Sequence, residues 1–129
     1  MKDRMGREID YMRFSITDRC NLRCKYCMPE GIDCMPRWDV LSLEEFEAIA
    51  IAAASLGIKK IKVTGGEPLA RKSCPQLVKM LKNIPGIEKV TLTTNGVQLD
   101  QYLDQLLDAG LDAINVSLDT VDPVLYEKI

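Results

Sequence analysis

Strand-forming and helix-forming stretches alternate along this chain so regularly that few folds remain open to it. Tyr11 to Thr17 (YMRFSIT) alternates in polarity and is rich in strand formers. Ser42 then reads as a helix N-cap, and Glu45 completes a capping box. Phe46, Ile49, Ala50, Ala53 and Leu56 fall on one face of that helix, and Gly57 stops it. Lys59 to Thr64 is a second strand. Pro75 opens a second helix with Leu77, Val78 and Leu81 inward, closing near Pro85-Gly86. Lys89 to Thr94 is a third strand, and Asp100 caps a third helix that carries Leu103, Leu106 and Leu107 and stops at Gly110. Ala113 to Leu118 is a fourth strand, and Asp122-Pro123 begins a fourth helix.

Repeated βα units imply parallel strands joined by right-handed crossovers. A doubly wound sheet gains no support, because no G-x-G-x-x-G follows the first strand. Four strands with helices on one side do not close a barrel. The expected architecture is α/β, the amino-terminal piece of a longer βα barrel, with an open edge and an apolar interior left exposed.

Composition removes whole classes of function. The 129 residues suit one domain or part of one, and the net charge of −2 offers no footprint for nucleic acid or an anionic membrane. Neither a secretory h-region nor the roughly 20 apolar residues of a membrane span is present, so the expected compartment is the cytoplasm. Five cysteines then read as ligands or catalysts rather than bridges. There is no histidine, which excludes histidine triads, histidine metal ligands and the usual general base.

The chemistry gathers in Cys20-Asn-Leu-Arg-Cys24-Lys-Tyr-Cys27, a C-x3-C-x2-C knot. Three thiolates cannot pair off as disulfides, but soft sulfur selects zinc, copper(I) or iron–sulfur clusters. A four-iron cubane usually takes four cysteines, so three leave one iron open to bind something else. Cys34, seven residues beyond Cys27, leaves a four-cysteine zinc staple open as an alternative. Arg19, Arg23 and Lys25 would stabilise an anionic centre of either kind.

Active sites of α/β barrels lie at the carboxyl ends of the strands. The cysteine knot, Gly65-Gly66-Glu67-Pro68, Thr93-Thr94-Asn95-Gly96, and Asn115 with Ser117-Leu118-Asp119 all follow or end strands, so they share one rim. Singly, each reads as a turn or a cap; jointly, beside three thiolates, they resemble the signature of the radical S-adenosylmethionine superfamily. Tyr26 before the last cysteine and Gly-Gly-Glu-Pro one strand later carry the likeness.

The resemblance implies a partial (β/α)6 TIM-like barrel and a [4Fe-4S] cluster on Cys20, Cys24 and Cys27. Its open iron would chelate S-adenosyl-L-methionine, whose cleavage yields a 5′-deoxyadenosyl radical. Tyr26 would lie beside the adenine, Gly65 and Gly66 would let backbone approach the methionyl amine, and Ser117 would add a contact.

Asp10 to Cys20, Cys27-Met-Pro-Glu-Gly31, Thr64 to Leu69, Leu92-Thr-Thr-Asn-Gly96 and Asn115 to Asp119 narrow the resemblance further. They look like the GTP 3′,8-cyclases, the molybdenum cofactor biosynthesis protein A family. That family converts GTP to (8S)-3′,8-cyclo-7,8-dihydroguanosine 5′-triphosphate. The likeness implies GTP contacts at Arg13, Lys62 and Thr93. Lys62 stands where the family usually has arginine, keeping the charge without the planar fork. It also implies a reductant for the cluster and cyclic pyranopterin monophosphate synthase as the next enzyme, with a homodimer open. A second [4Fe-4S] cluster belongs to a later region of the family, so residues 1–129 are expected to be a radical SAM core segment inactive alone. Another, peptide-modifying member of the superfamily is the alternative enzyme. Cys34 and Cys74 read as incidental, oxidation-sensitive thiols.

Overall fold

A computed structural model describes residues 3–17, 41–118 and 121–124. Four strands, β1 (Tyr11–Ser15), β2 (Lys60–Thr64), β3 (Lys89–Thr94) and β4 (Ala113–Val116), form one sheet in the order β1-β2-β3-β4. Every neighbouring pair is parallel. Helices α1 (Leu43–Ser55), α2 (Cys74–Lys82) and α3 (Leu99–Asp108) occupy the connections. Strand order that advances without reversal, joined by right-handed crossovers, puts every helix on the same side. A doubly wound sheet would need a reversal, and the four described strands show none.

The helix-covered face is apolar. Phe14, Val63 and Leu92 are register partners across β1, β2 and β3, as are Ile61 and Val90 one row nearer the amino end. All are buried against Leu77, Val78 and Leu81 of α2, Phe46, Ala50 and Ala53 of α1, and Leu106 of α3. Burying each such aliphatic side chain stabilises the fold by about 1.5–3 kcal/mol.

The expected capping box forms: Ser42 Oγ accepts from Glu45 N at 3.1 Å, and Glu45 Oε1 accepts from Ser42 N at 3.1 Å. The inward face of α1 is narrower than expected, because Ile49 is 41% and Leu56 61% exposed while Leu43 is buried. On α3 only Leu106 is buried, with Leu103 and Leu107 turned outward. Asp100 lies in the first turn of α3 rather than capping it; Gln98 holds the N-cap position without a side-chain cap bond.

The uncovered face departs most from expectation. Strand alternation gives it Arg13, Ser15, Lys62, Thr64, Thr91, Thr93, Ala113 and Asn115, so it is polar and not an apolar interior. No described helix is long and apolar enough to cross a membrane.

Candidate functional site

The site is built around the loop after β2. Gly65 has φ +155°, and a Cβ placed there would sit 2.6 Å from the carbonyl oxygen of Thr17. Only a residue without a side chain lets these two backbones meet. The adjacent Gly66 N–H donates to the same Thr17 oxygen at 2.8 Å, and Ile16 N–H donates to Thr64 O at 2.9 Å. The chain leaving β1 toward the cysteines is therefore clasped by the glycine pair.

Glu67 follows, 1% exposed. Its carboxylate accepts from Thr94 Oγ1 at 2.6 Å, from Asn95 N at 2.9 Å and from Leu69 N at 3.2 Å. The Leu69 contact opens a 3-10 turn over Pro68–Ala70. Thr94 Oγ1 in turn accepts from Gly96 N at 3.1 Å. A buried carboxylate is tolerated when hydrogen bonds fill its lone pairs, and this one fixes the loop after β2 to the end of β3. Arg71, just beyond, donates to Ile16 O at 2.8 Å and Leu41 O at 2.9 Å. Its guanidinium lies 5.7 Å from the centroid of the Phe46 ring, which packs on Phe14 at 5.2 Å.

Arg13 and Lys62 are direct register partners on β1 and β2, and Lys62 partners Thr91 on β3. Thr93 lies on the same face two residues nearer the carboxyl end and partners Asn115. Arg13 is exposed and Lys62 half-buried. Among the described residues the ion pairs involve Arg7, Lys60 and Lys82, so neither Arg13 nor Lys62 is matched by a carboxylate. Two neighbouring cations beside hydroxyls and an amide make a surface suited to an anion with hydrogen-bonding oxygens.

Ser117 follows β4, where its N–H donates to Thr94 O at 2.9 Å and its residue is exposed. It sits three strands from the β1 exit, about 14 Å at ordinary strand spacing. A ligand touching both ends would lie across the strand tips. Cys20, Cys24, Cys27, Tyr26, Cys34 and Asp119 lie outside the described residues.

Cys74 is not the oxidation-sensitive thiol expected. It is fully buried at the start of α2, and burial pushes its thiol up to about 12, with Glu67 adding to the rise and Arg71 opposing it. Thiol nucleophilicity requires the thiolate, which this site disfavours.

Glu67, Thr94 and Arg71 were singled out by no residue-level expectation. The motif Gly-Gly-Glu-Pro marked the place, but partners 27 and 55 residues distant leave no local trace in sequence.

Comparison with known proteins adds a family. The Radical SAM superfamily model matches residues 14–129. Among curated relatives, the GTP 3′,8-cyclase of Alkaliphilus metalliredigens is 52% identical over 100% of this chain and 41% of its own length. That of Peptoclostridium acidaminophilum is 51% identical over 98% of this chain and 39% of its own. That of Rhizobium leguminosarum is 49% identical over 100% of this chain and 38% of its own. The chain thus spans about two fifths of these relatives. Among solved structures, BtrN in complex with AdoMet and 2-DOIA matches at TM-score 0.68 and 23% identity, covering 85% of this chain and 46% of that one. Selenomethionine BtrN in an open conformation matches at TM-score 0.65 and 22% identity, covering 92% and 54%. These two likenesses concern the fold.

Proposed function

We propose that this chain, which belongs to the radical SAM superfamily, is the radical SAM core segment of a GTP 3′,8-cyclase. The longer protein would convert GTP to (8S)-3′,8-cyclo-7,8-dihydroguanosine 5′-triphosphate in molybdenum cofactor biosynthesis. The observation that carries this reading is the uncovered face. Arg13 and Lys62 stand side by side with no carboxylate partner among the described residues, and Thr93 lies nearer the strand ends. Identity of about half with named GTP 3′,8-cyclases along the whole chain supports it.

The donor set fits a [4Fe-4S] cluster: Cys20, Cys24 and Cys27 would supply three soft thiolates from one short stretch of sequence and leave one coordination position free. When bound, the cluster and S-adenosylmethionine supply one-electron chemistry that generates a hydrogen-abstracting radical. The chain's own residues hold and orient. Gly65 and Gly66 would offer backbone at the β2 tip to the methionyl group, Tyr26 would flank the adenine, and Ser117 would contact the cofactor from the β4 tip. Arg13 and Lys62 neutralise the triphosphate, and Thr93 binds beside it. Lysine at position 62 grips as a point charge where arginine would bind bidentately. A reductant for the cluster and cyclic pyranopterin monophosphate synthase as the consumer of product complete the proposal.

Anaerobic reconstitution with iron and sulfide tests it. Serine at Cys20, Cys24 or Cys27 should each abolish a brown cluster, while Cys34→Ser and Cys74→Ser should leave it. Loss on Cys34→Ser would favour a colourless four-thiolate zinc staple. In the longer protein, Arg13→Ala should weaken GTP binding about tenfold or more while S-adenosylmethionine still binds. Unchanged GTP affinity would point to another substrate, such as a peptide.

A further inference from the structure

We propose that Arg71 is a positioning residue for the cysteine segment, holding together the two backbone points between which Cys20, Cys24 and Cys27 are strung. The proposal rests on the cluster reading above for the identity of the metal, though not for the geometry.

That geometry is specific. Arg71 Nη1 donates to Ile16 O at 2.8 Å, and Nη2 donates to Leu41 O at 2.9 Å. Ile16 precedes the cysteines and Leu41 follows them, so a single guanidinium joins the departure and the return of that stretch. The departure point has other holds, in Ile16 N–H to Thr64 O and Gly66 N–H to Thr17 O. The Arg71 bond reaches Leu41, one residue before the Ser42 cap of α1.

The side chain is itself oriented. It lies over Phe46 of α1, which packs on Phe14 of β1, so the elements it ties together also fix its plane. Two donors on a planar fork can meet two carbonyls at once; a lysine ammonium at the same stem length meets one well.

The charge supports the same role. Among the described residues no carboxylate is ion-paired with Arg71, and its partners there are neutral carbonyls. A cation held at the root of that segment, unpaired with any described carboxylate, attracts an anionic metal–thiolate centre. Drawing the ends of a long loop together within the fold also removes closure entropy from the later step of metal capture. Both effects tighten metal binding, and neither needs Arg71 to touch the metal.

The test uses the whole chain with Arg71→Lys and Arg71→Met. Zinc affinity of the metal-free chain is measured by competition with a chromophoric chelator, below each variant's melting temperature. Iron release from the reconstituted chain to a chelator is timed in parallel. Arg71→Met should weaken zinc binding about tenfold, the equivalent of one charge-assisted hydrogen bond, and Arg71→Lys by less. Iron release should accelerate in the same order. A purely structural role would lower the melting temperature and leave zinc affinity unchanged below it; that result overturns the proposal. If Arg71→Met does not fold, unchanged zinc affinity and iron release in Arg71→Lys would overturn it equally. Zinc binding that depends on Arg71 in a chain that assembles no cluster would keep this assignment and remove the cluster reading.

Discussion

The two ends of the sheet are closed by similar bonds set in different surroundings. At the amino end, Asp112 accepts from Lys82 Nζ at 2.9 Å and Val90 N at 2.8 Å, and Lys82 also donates to Glu88 O at 3.2 Å. Both side chains of that ion pair remain partly in solvent, 24% and 32% exposed. Backbone bonds share the work there, with Lys59 and Lys60 N–H donating to Asp10 O and Glu88 and Lys89 N–H to Lys59 O. At the carboxyl end, buried Glu67 is the acceptor for three donors, and Arg71 bridges two carbonyls far apart in sequence. The amino end keeps strands in register. The carboxyl end fixes loops, and those loops carry the residues proposed to bind cofactor.

If that contrast is right, substitutions at the carboxyl end are the costly ones. Glu67→Ala removes the acceptor of the Thr94 hydroxyl and two backbone N–H groups in a buried site. It should destabilise the fold by about 3 kcal/mol or more, measured by urea unfolding. A loss within about 0.5 kcal/mol would mean that water replaces the carboxylate and the clamp is inconsequential.

Gly65→Ala should come next. Its methyl would meet Thr17 O at 2.6 Å, so either β1's exit or the β2 loop must shift, at about 1–3 kcal/mol. Slower cluster uptake in the folded variant would tie the loss to the cysteine segment rather than to the sheet.

How much of this was legible in sequence depends on how local each signal is. The boundaries of β3, the Ser42–Glu45 capping box and the burial of Leu77, Val78 and Leu81 follow from neighbouring residues. Periodicity over-assigned Ile49, Leu56, Leu103 and Leu107 to the core, because it gives the direction of a helix's apolar stripe and not the width its neighbours cover. The polar uncovered face was written in the alternation of Lys62 and Thr64, and of Thr91 and Thr93. The expectation of an apolar barrel interior overrode it. Glu67 and Arg71 were illegible for another reason. Their partners are brought near only by the crossover topology.

The amino end supplies the smallest effect. Burial pushes the Asp112 carboxyl up, but the bonds from Lys82 and Val90, with the charges of Lys82 and Lys89, outweigh it and leave its pKa lowered. A lowered folded pKa means stabilisation that is present above the unfolded carboxylate's pKa and lost as pH falls through the folded value. Solvent screens the pair, so Asp112→Asn should cost no more than about 1 kcal/mol near neutrality. It should also flatten the acid limb of the stability profile, while zinc affinity stays that of the unmodified chain. A drop in metal affinity as large as that expected for Arg71→Met would erase the distinction between the two ends.

If, as proposed, a three-thiolate cluster at the carboxyl rim keeps one coordination position open, S-adenosylmethionine should bind to it. Electron paramagnetic resonance of the reduced, reconstituted chain, recorded with and without S-adenosylmethionine, addresses it most directly. The g-values of the cluster signal should move when S-adenosylmethionine is added, and Gly66→Val should suppress that movement with the cluster retained. A cluster signal indifferent to S-adenosylmethionine in the folded chain would contradict the proposal.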